Sequence, residues 1–417
     1  MSPSPGWHEW RATRLLDSPH RLCFFWAGVS WALSAAWWAA QLLATAIRVH
    51  WPLTVPMTLA HGLLFTMGAM PLFIAGFVFT AGPKWLKQPP VSARSLRWPV
   101  WLYATGWALA VAGFHLNEVL AACGLAVATG AWGALTLLVF RLVAGREHRD
   151  RLHANGIALA CLGMVGCLAA SSVALLLTHP EWLRHTLRIG LWSVVSVFLL
   201  VSHRMLPFLG ARVFSSLDGR WPHWQLWLVV SVPLVEGAAA ILDLSSATSR
   251  VWTTLGAMIL AFVAIVCLLL ALRFRREPAL KQPLVAMLYI AFLWWDVSLW
   301  LGAASWLPWE SGSRTTAFEM AQLHTLALGF LGGTLLVMAS RISSAHSGRP
   351  QVIDQVARLL YGALQTAIVM RLASVLWVQS SAVLLPMAAC TWMGVACFWT
   401  ARHGRWLGCP RADGRAG

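Results

Sequence analysis

The sequence predicts an all-α fold: a polytopic membrane bundle of about twelve transmembrane helices. Three observations predict it. The 417 residues are 59% hydrophobic and only 11% charged, whereas soluble chains carry about a quarter charged residues, and the mean hydropathy is +0.66. Apolar runs of about 20 residues, enough to cross a hydrocarbon core ~30 Å thick, recur from Leu22 to the C-terminal region. Basic residues collect in every second connection, as the positive-inside rule requires of a chain that crosses repeatedly.

The spans fall at roughly 22–46, 55–81, 99–116, 118–141, 154–177, 186–207, 223–242, 251–272, 284–304, 317–340, 355–377 and 382–400. Arg11, Arg14 and Arg21 precede an apolar run too long for the core of a cleaved signal peptide, so the first span is read as uncleaved. The third and fourth are parted only by His115-Leu116-Asn117-Glu118. On one side lie Lys84, Lys87, Arg94 and Arg97, then Arg141, Arg146, Arg149 and Arg151, then Arg204, Arg212 and Arg220, then Arg273, Arg275, Arg276 and Lys281. Arg341, Arg349 and Arg358 follow on that side, and Arg402, Arg405, Arg411 and Arg415 end it. The opposite side holds only Arg48, Arg184, Arg188, Arg250 and Arg314. Both termini are therefore expected in the cytoplasm, with the chain crossing the membrane many times.

The net charge of +16 is spread through these loops rather than gathered on one face, which argues against a nucleic-acid partner. The eight cysteines form no C-x-x-C pair and no haem-attachment motif, and are read as small helix-packing residues. Of the 27 tryptophans, Trp51, Trp98, Trp101, Trp182, Trp221, Trp224, Trp306, Trp309 and Trp377 lie near span ends and fit interfacial belts. Trp294 and Trp295 lie deeper and are read as packing. No connection is long enough for a soluble domain, and the two halves show no internal repeat.

Ionisable residues inside spans are costly and usually have a partner or a function. His61 in span 2 and His324 in span 10 both lie about 10 Å below the same membrane surface, counting ~1.5 Å per residue. Two imidazoles at one level are what bis-histidine ligation of a b-type haem needs, with Gly62, Gly68, Ala69, Gly329, Gly332 and Gly333 as room for the macrocycle. Hydrogen bonding to a neighbouring helix, simple close packing and a proton or transport role remain alternatives. Arg371 lies at nearly the same depth and suits a haem propionate, or a buried pair with Asp296 or Glu236. On the cytoplasmic side, His203, His223 and His346 could gather around copper, or be plain solvated residues. Met57, Met67 and Met70 are most simply core.

At these residues the chain resembles the NnrS family, bacterial membrane proteins of the nitric oxide response described as containing haem and copper. The resemblance rests on AHGLLFTMGAMPLFIAGFVFTAGPKW, SHRMLPF and LHTLALGFLGGTLLVMASRISSAHSGRP, in that order along essentially the whole chain. Many members carry a second histidine and a glutamate shortly after the first histidine; here those positions are Leu63 and Leu64. A more distant similarity is to the catalytic subunit of haem-copper oxidases and nitric oxide reductases, which hold a low-spin haem between histidines of spans 2 and 10. Where the oxidases place the histidine of their reactive haem, this chain has Gln322, and their mid-membrane copper histidines have no counterparts.

The resemblance implies a haem-binding membrane protein of nitrosative-stress physiology or denitrification, with His61 and His324 as axial ligands and Arg371 on a propionate. Copper is implied as a second metal, and nitric oxide or an electron donor as partners. Filled axial positions favour electron transfer over catalytic reduction of nitric oxide. The competing expectation is a transporter for a small anion or metal, with Arg371, Asp296 and Glu236 lining the path.

Overall fold

The computed structural model describes residues 9–49, 51–145, 151–210, 223–244, 250–307, 309, 312–350 and 353–414. Trp221, Arg146, Arg149, Arg212, Arg220 and Arg415 lie outside them. Among the described residues there is no strand, and the long helices are α1 Pro19–Ala46, α2 Met57–Trp85, α3 Ala93–Leu116, α4 Glu118–Val143, α5 Arg151–Leu176 and α6 Pro180–Gly210. They continue as α7 His223–Leu244, α8 Arg250–Phe274, α9 Pro283–Ser305, α10 Arg314–His346, α11 Gln355–Leu376 and α12 Ser381–Gly408.

Eleven of these are long and apolar enough to cross a membrane. The exception is α3, the expected third span. It is a 24-residue helix, but Arg94, Arg97, Pro99 and a run of indole and phenol side chains thin out its aliphatic content. Helix ends follow local chemistry. Ser92 and Asp354 cap α3 and α11 by accepting from the backbone N–H of Arg94 and Ala357, and proline opens α1 and α9, where no N–H is needed. The polar knot between the third and fourth spans is a tight helix hairpin. Asn117 leaves the helical region (φ −168°), and its Oδ1 accepts from Leu120 N at 2.8 Å to start α4.

The chain divides into two compact units. Unit 1 comprises residues 1–197, 339–351 and 396–417, and unit 2 comprises 198–338 and 352–395. In unit 1, α1 packs on α2 and α3, and α3, α4 and α5 form a consecutive antiparallel stack. Trp31, Trp132 and Trp399 are fully buried there. In unit 2, α9 is central, touching α8 and α10, and α11 packs along α10. Trp51, Trp98, Trp101, Trp182, Trp224 and Trp377 are exposed, as a belt at the span ends requires. The cysteines form no disulfide among the described residues.

Arg21 is the one basic residue of the leading loop that the fold buries. Its Nη1 donates to the carbonyls of Leu407 and Cys409, at 2.9 and 3.0 Å, and so ties α1 to the end of α12. Arg21→Met leaves both carbonyls without that donor, at a cost of about 1.5–3 kcal/mol. The expected result is faster tryptic cleavage around Arg405 and Arg411 and a lower melting temperature. An unchanged cleavage pattern means the tie is dispensable.

Candidate functional site

His61 and His324 belong to different units, and each is followed by the same backbone irregularity. The α-helical ladder widens to a π-helix over Leu64–Ala69 in α2 and over Thr325–Gly332 in α10. Such segments are rare and concentrate at functional positions. Hydropathy patterning cannot reveal them, because they change hydrogen-bond register and not residue type.

In α2 the cause is legible. Pro71 has no N–H for the carbonyl four residues back, which is that of Met67. The Tyr103 hydroxyl, fully buried on α3, donates to Met67 O in its place. In α10 the Thr325 hydroxyl serves the start of the wide turns, with Ala321 O at 2.8 Å and Gln322 O at 3.0 Å.

The His61 ring stacks on Trp38, with centroids 3.9 Å apart and planes at 20°, and meets Phe65 edge-on at 4.8 Å. One face of the imidazole is therefore covered and its orientation set. His324 is half-buried, and its Nδ1 donates to Met320 O at 2.7 Å. That bond fixes the tautomer and leaves the Nε2 lone pair as an acceptor, the arrangement by which proteins orient metal-bound histidine.

Arg371, on α11, is close enough to His324 for its charge to act on the ring. Its Nη1 bonds the Ser374 hydroxyl at 3.0 Å. Neither carboxylate proposed for it takes the guanidinium. Glu236 is buried and accepts from Gln322 Nε2 at 2.7 Å, while Asp296 Oδ1 is buried with no hydrogen bond among the described residues. Unit 2 thus holds a half-buried cation with no carboxylate partner among the described residues, next to a histidine with an available nitrogen.

The glycines do not all supply the expected room. A Cβ on Gly62 would lie 2.4 Å from Leu187 Cδ2, and one on Gly329 would lie 2.5 Å from Trp294 Cγ. These positions are small because neighbouring side chains fill them. Trp294, otherwise unexplained at its depth, covers Gly329 and donates to Gln365 Oε1 at 2.7 Å. Around Gly68 and Gly332 the space is looser, with nearest contacts at 3.5 and 3.4 Å.

The three histidines offered for copper, His203, His223 and His346, do not gather into one cluster. Among the described residues no three histidine, cysteine, aspartate or glutamate side chains approach to metal-binding distance. His203 lines a cavity of about 150 Å³ in unit 2 together with Gln225, Trp295 and Phe330. His223 is exposed at the start of α7. His346 meets His20, a residue the sequence pattern hides because it lies at the junction of a basic loop and the first apolar run.

A family model described as NnrS protein matches residues 14–411. No curated protein matches the chain.

Proposed function

The chain belongs to the NnrS family, and from that premise we propose that it is a haem-binding inner-membrane protein of the nitric oxide and nitrosative-stress response or of denitrification. The haem is of b type, held by His61 and His324, with Arg371 against a propionate. Both termini lie in the cytoplasm, and α3 completes twelve crossings, which keeps His61 and His324 on spans 2 and 10 as in the haem-copper oxidase subunit.

The observation that carries this reading is the His324–Arg371 pair. A histidine with Nδ1 fixed to a carbonyl, beside a guanidinium that no carboxylate among the described residues neutralises, is chemistry that would suit a haem ligand and a propionate partner. The stacked and oriented His61 supports the second ligand. With two imidazoles bound, such a haem supplies one-electron transfer. The chain's own contribution is to hold the two rings, keep water from them and balance the carboxylates. Protein purified in detergent from haem-replete cells should show a Soret band, and a preparation without one, despite full-length folded protein, rejects the assignment.

The second reading is anion transport, and it too rests on Arg371 having no carboxylate partner among the described residues. Among the described residues neither Asp296 nor Glu236 pairs directly with it, and Glu236 accepts from Gln322 Nε2. Proteoliposomes are expected to show no uptake of small anions above empty vesicles. Uptake abolished by Arg371→Gln would replace the haem proposal.

A further inference from the structure

The cavity of about 150 Å³ in unit 2 lies where α6, α7, α8, α9 and α10 meet. Phe274, Phe292, Trp295 and Phe330 give it aromatic walls, and aliphatic side chains supply most of the rest. Among the described lining residues there is no lysine, arginine, aspartate or glutamate, so a charged ligand meets no opposite charge. The few polar side chains include His203 on α6 and Gln225 on α7. Tyr289 is already engaged, its hydroxyl donating to Ala271 O at 2.9 Å. Two others carry an unmatched atom. Gln225 Oε1 and Trp295 Nε1 are buried and make no hydrogen bond to nitrogen or oxygen among the described residues, and the Cys267 thiol stands beside the indole. Folded interiors leave such atoms unpaired only rarely.

Size, lining and hydrogen-bonding capacity together narrow the ligand. An apolar cavity of about this volume takes up one benzene ring, and a mostly aromatic wall with a few placed polar groups is the usual form of a small-molecule site. All five helices are long and apolar enough to cross a membrane, and the cavity is open on one side. A ring with an apolar tail can therefore enter from the bilayer and leave its tail outside. The amide of Gln225 and the imidazole of His203 can each either donate or accept. A hydrocarbon tail uses neither capacity, and a simple carbonyl compound uses only the donors. A ring oxygen that alternates between carbonyl and hydroxyl uses both.

We infer that this cavity binds the head-group ring of an isoprenoid quinone and of the corresponding quinol. The aromatic walls hold the ring by stacking and edge contacts. A quinone oxygen accepts from the Gln225 amide N–H or the Trp295 indole N–H, and a quinol hydroxyl donates to Gln225 Oε1. His203 serves the second ring oxygen in either oxidation state. Phe330 belongs to the π-helix that follows His324 on α10, so the ring rests on the helix that carries that histidine. Binding draws only on the cavity wall, and the inference stands whether or not haem is held.

The test uses the full-length protein in quinone-free lipid nanodiscs and equilibrium dialysis against protein-free nanodiscs. The probes are a ubiquinone with one isoprene unit, its quinol, and an alkylbenzene with the same tail and no oxygen. One quinone or quinol per chain is expected, bound more tightly than the alkylbenzene. Gln225→Leu and His203→Leu remove polar partners and keep the wall apolar. Each is expected to weaken quinone binding by about ten-fold, the effect of one lost hydrogen bond, and to leave the alkylbenzene unaffected. Val229→Phe puts a ring into the cavity and is expected to exclude all three probes. The inference is overturned if the wild type fails to bind quinone or quinol, or binds them no better than the alkylbenzene, which leaves a hole for lipid tails. It is equally overturned if neither polar variant weakens quinone binding relative to the alkylbenzene, or if Val229→Phe binds quinone as the wild type does. The Soret band, scored on the same preparations, answers to His61 and His324 and is expected unchanged in all three variants.

Discussion

Purified His324→Ala is expected to lack the Soret band that the wild-type protein shows, and His61→Ala is expected to do the same. The two losses have different supports. His324 is oriented through the backbone, by Nδ1 to Met320 O, so no conservative side chain restores it: glutamine at that position cannot offer a neutral imidazole nitrogen. His61 is oriented by a ring stack. Trp38→Ala is therefore expected to retain haem with a broadened and shifted band, because the ligand remains and only its orientation relaxes. Arg371 separates ligation from charge balance. A charge-assisted hydrogen bond contributes about 1.5–3 kcal/mol, so Arg371→Leu should reduce haem occupancy by roughly 10–100-fold at limiting haem, with Arg371→Lys recovering part of it. A Soret band that persists in both histidine variants ends the bis-histidine assignment, and a band indifferent to Arg371→Leu removes the propionate role alone.

What the sequence could disclose about this site follows from what its signals encode. Hydropathy and charge alternation encode where helices cross, and they place His61 and His324 on the second and tenth long helices, where the fold puts them. Depth placed Arg371 only at the level of His324; that its charge acts on that ring comes from the packing of α11 along α10. Three features were out of reach. The π-helices arise from hydrogen-bond register; only Pro71, four residues after Met67, hints at the first. His20 meets His346 through long-range tail contacts that no local pattern carries. The small residues near the histidines read as open space, yet Leu187 and Trp294 occupy two of the places, because a glycine records close approach without saying what approaches. The α3 boundary shifted upstream for a simpler reason: the helix starts at the Ser92 cap, ahead of the apolar run that marks a span.

The largest effect expected on stability lies on α3 and α4, away from any histidine. Gly106, Ala110 and Gly113 recur at helical spacing on α3 and face Ala121, Gly124 and Ala128 on α4. The backbones touch along this seam, as small residues permit between membrane helices. A Cβ on Gly124 would lie 2.3 Å from Ala110 N and 2.6 Å from Gly106 O, and one on Gly113 would lie 2.1 Å from Ala121 N. These obstacles are main chain and cannot rotate away, so even alanine must force the helices apart along their length. Overpacking that flexible side chains absorb costs about 1–3 kcal/mol, and a rigid seam should exceed that. Gly130, on the same helix α4, has nothing within 4 Å of its Cβ position. There alanine only improves helix propensity, by roughly 0.5–1 kcal/mol. The same substitution six residues apart on one helix is thus expected to act with opposite sign: Gly124→Ala lowers the melting temperature in detergent sharply, and Gly130→Ala raises it slightly or leaves it. If the two variants melt alike, the α3–α4 seam is not the close backbone contact described, and the hairpin at Asn117 no longer fixes how this pair of helices packs.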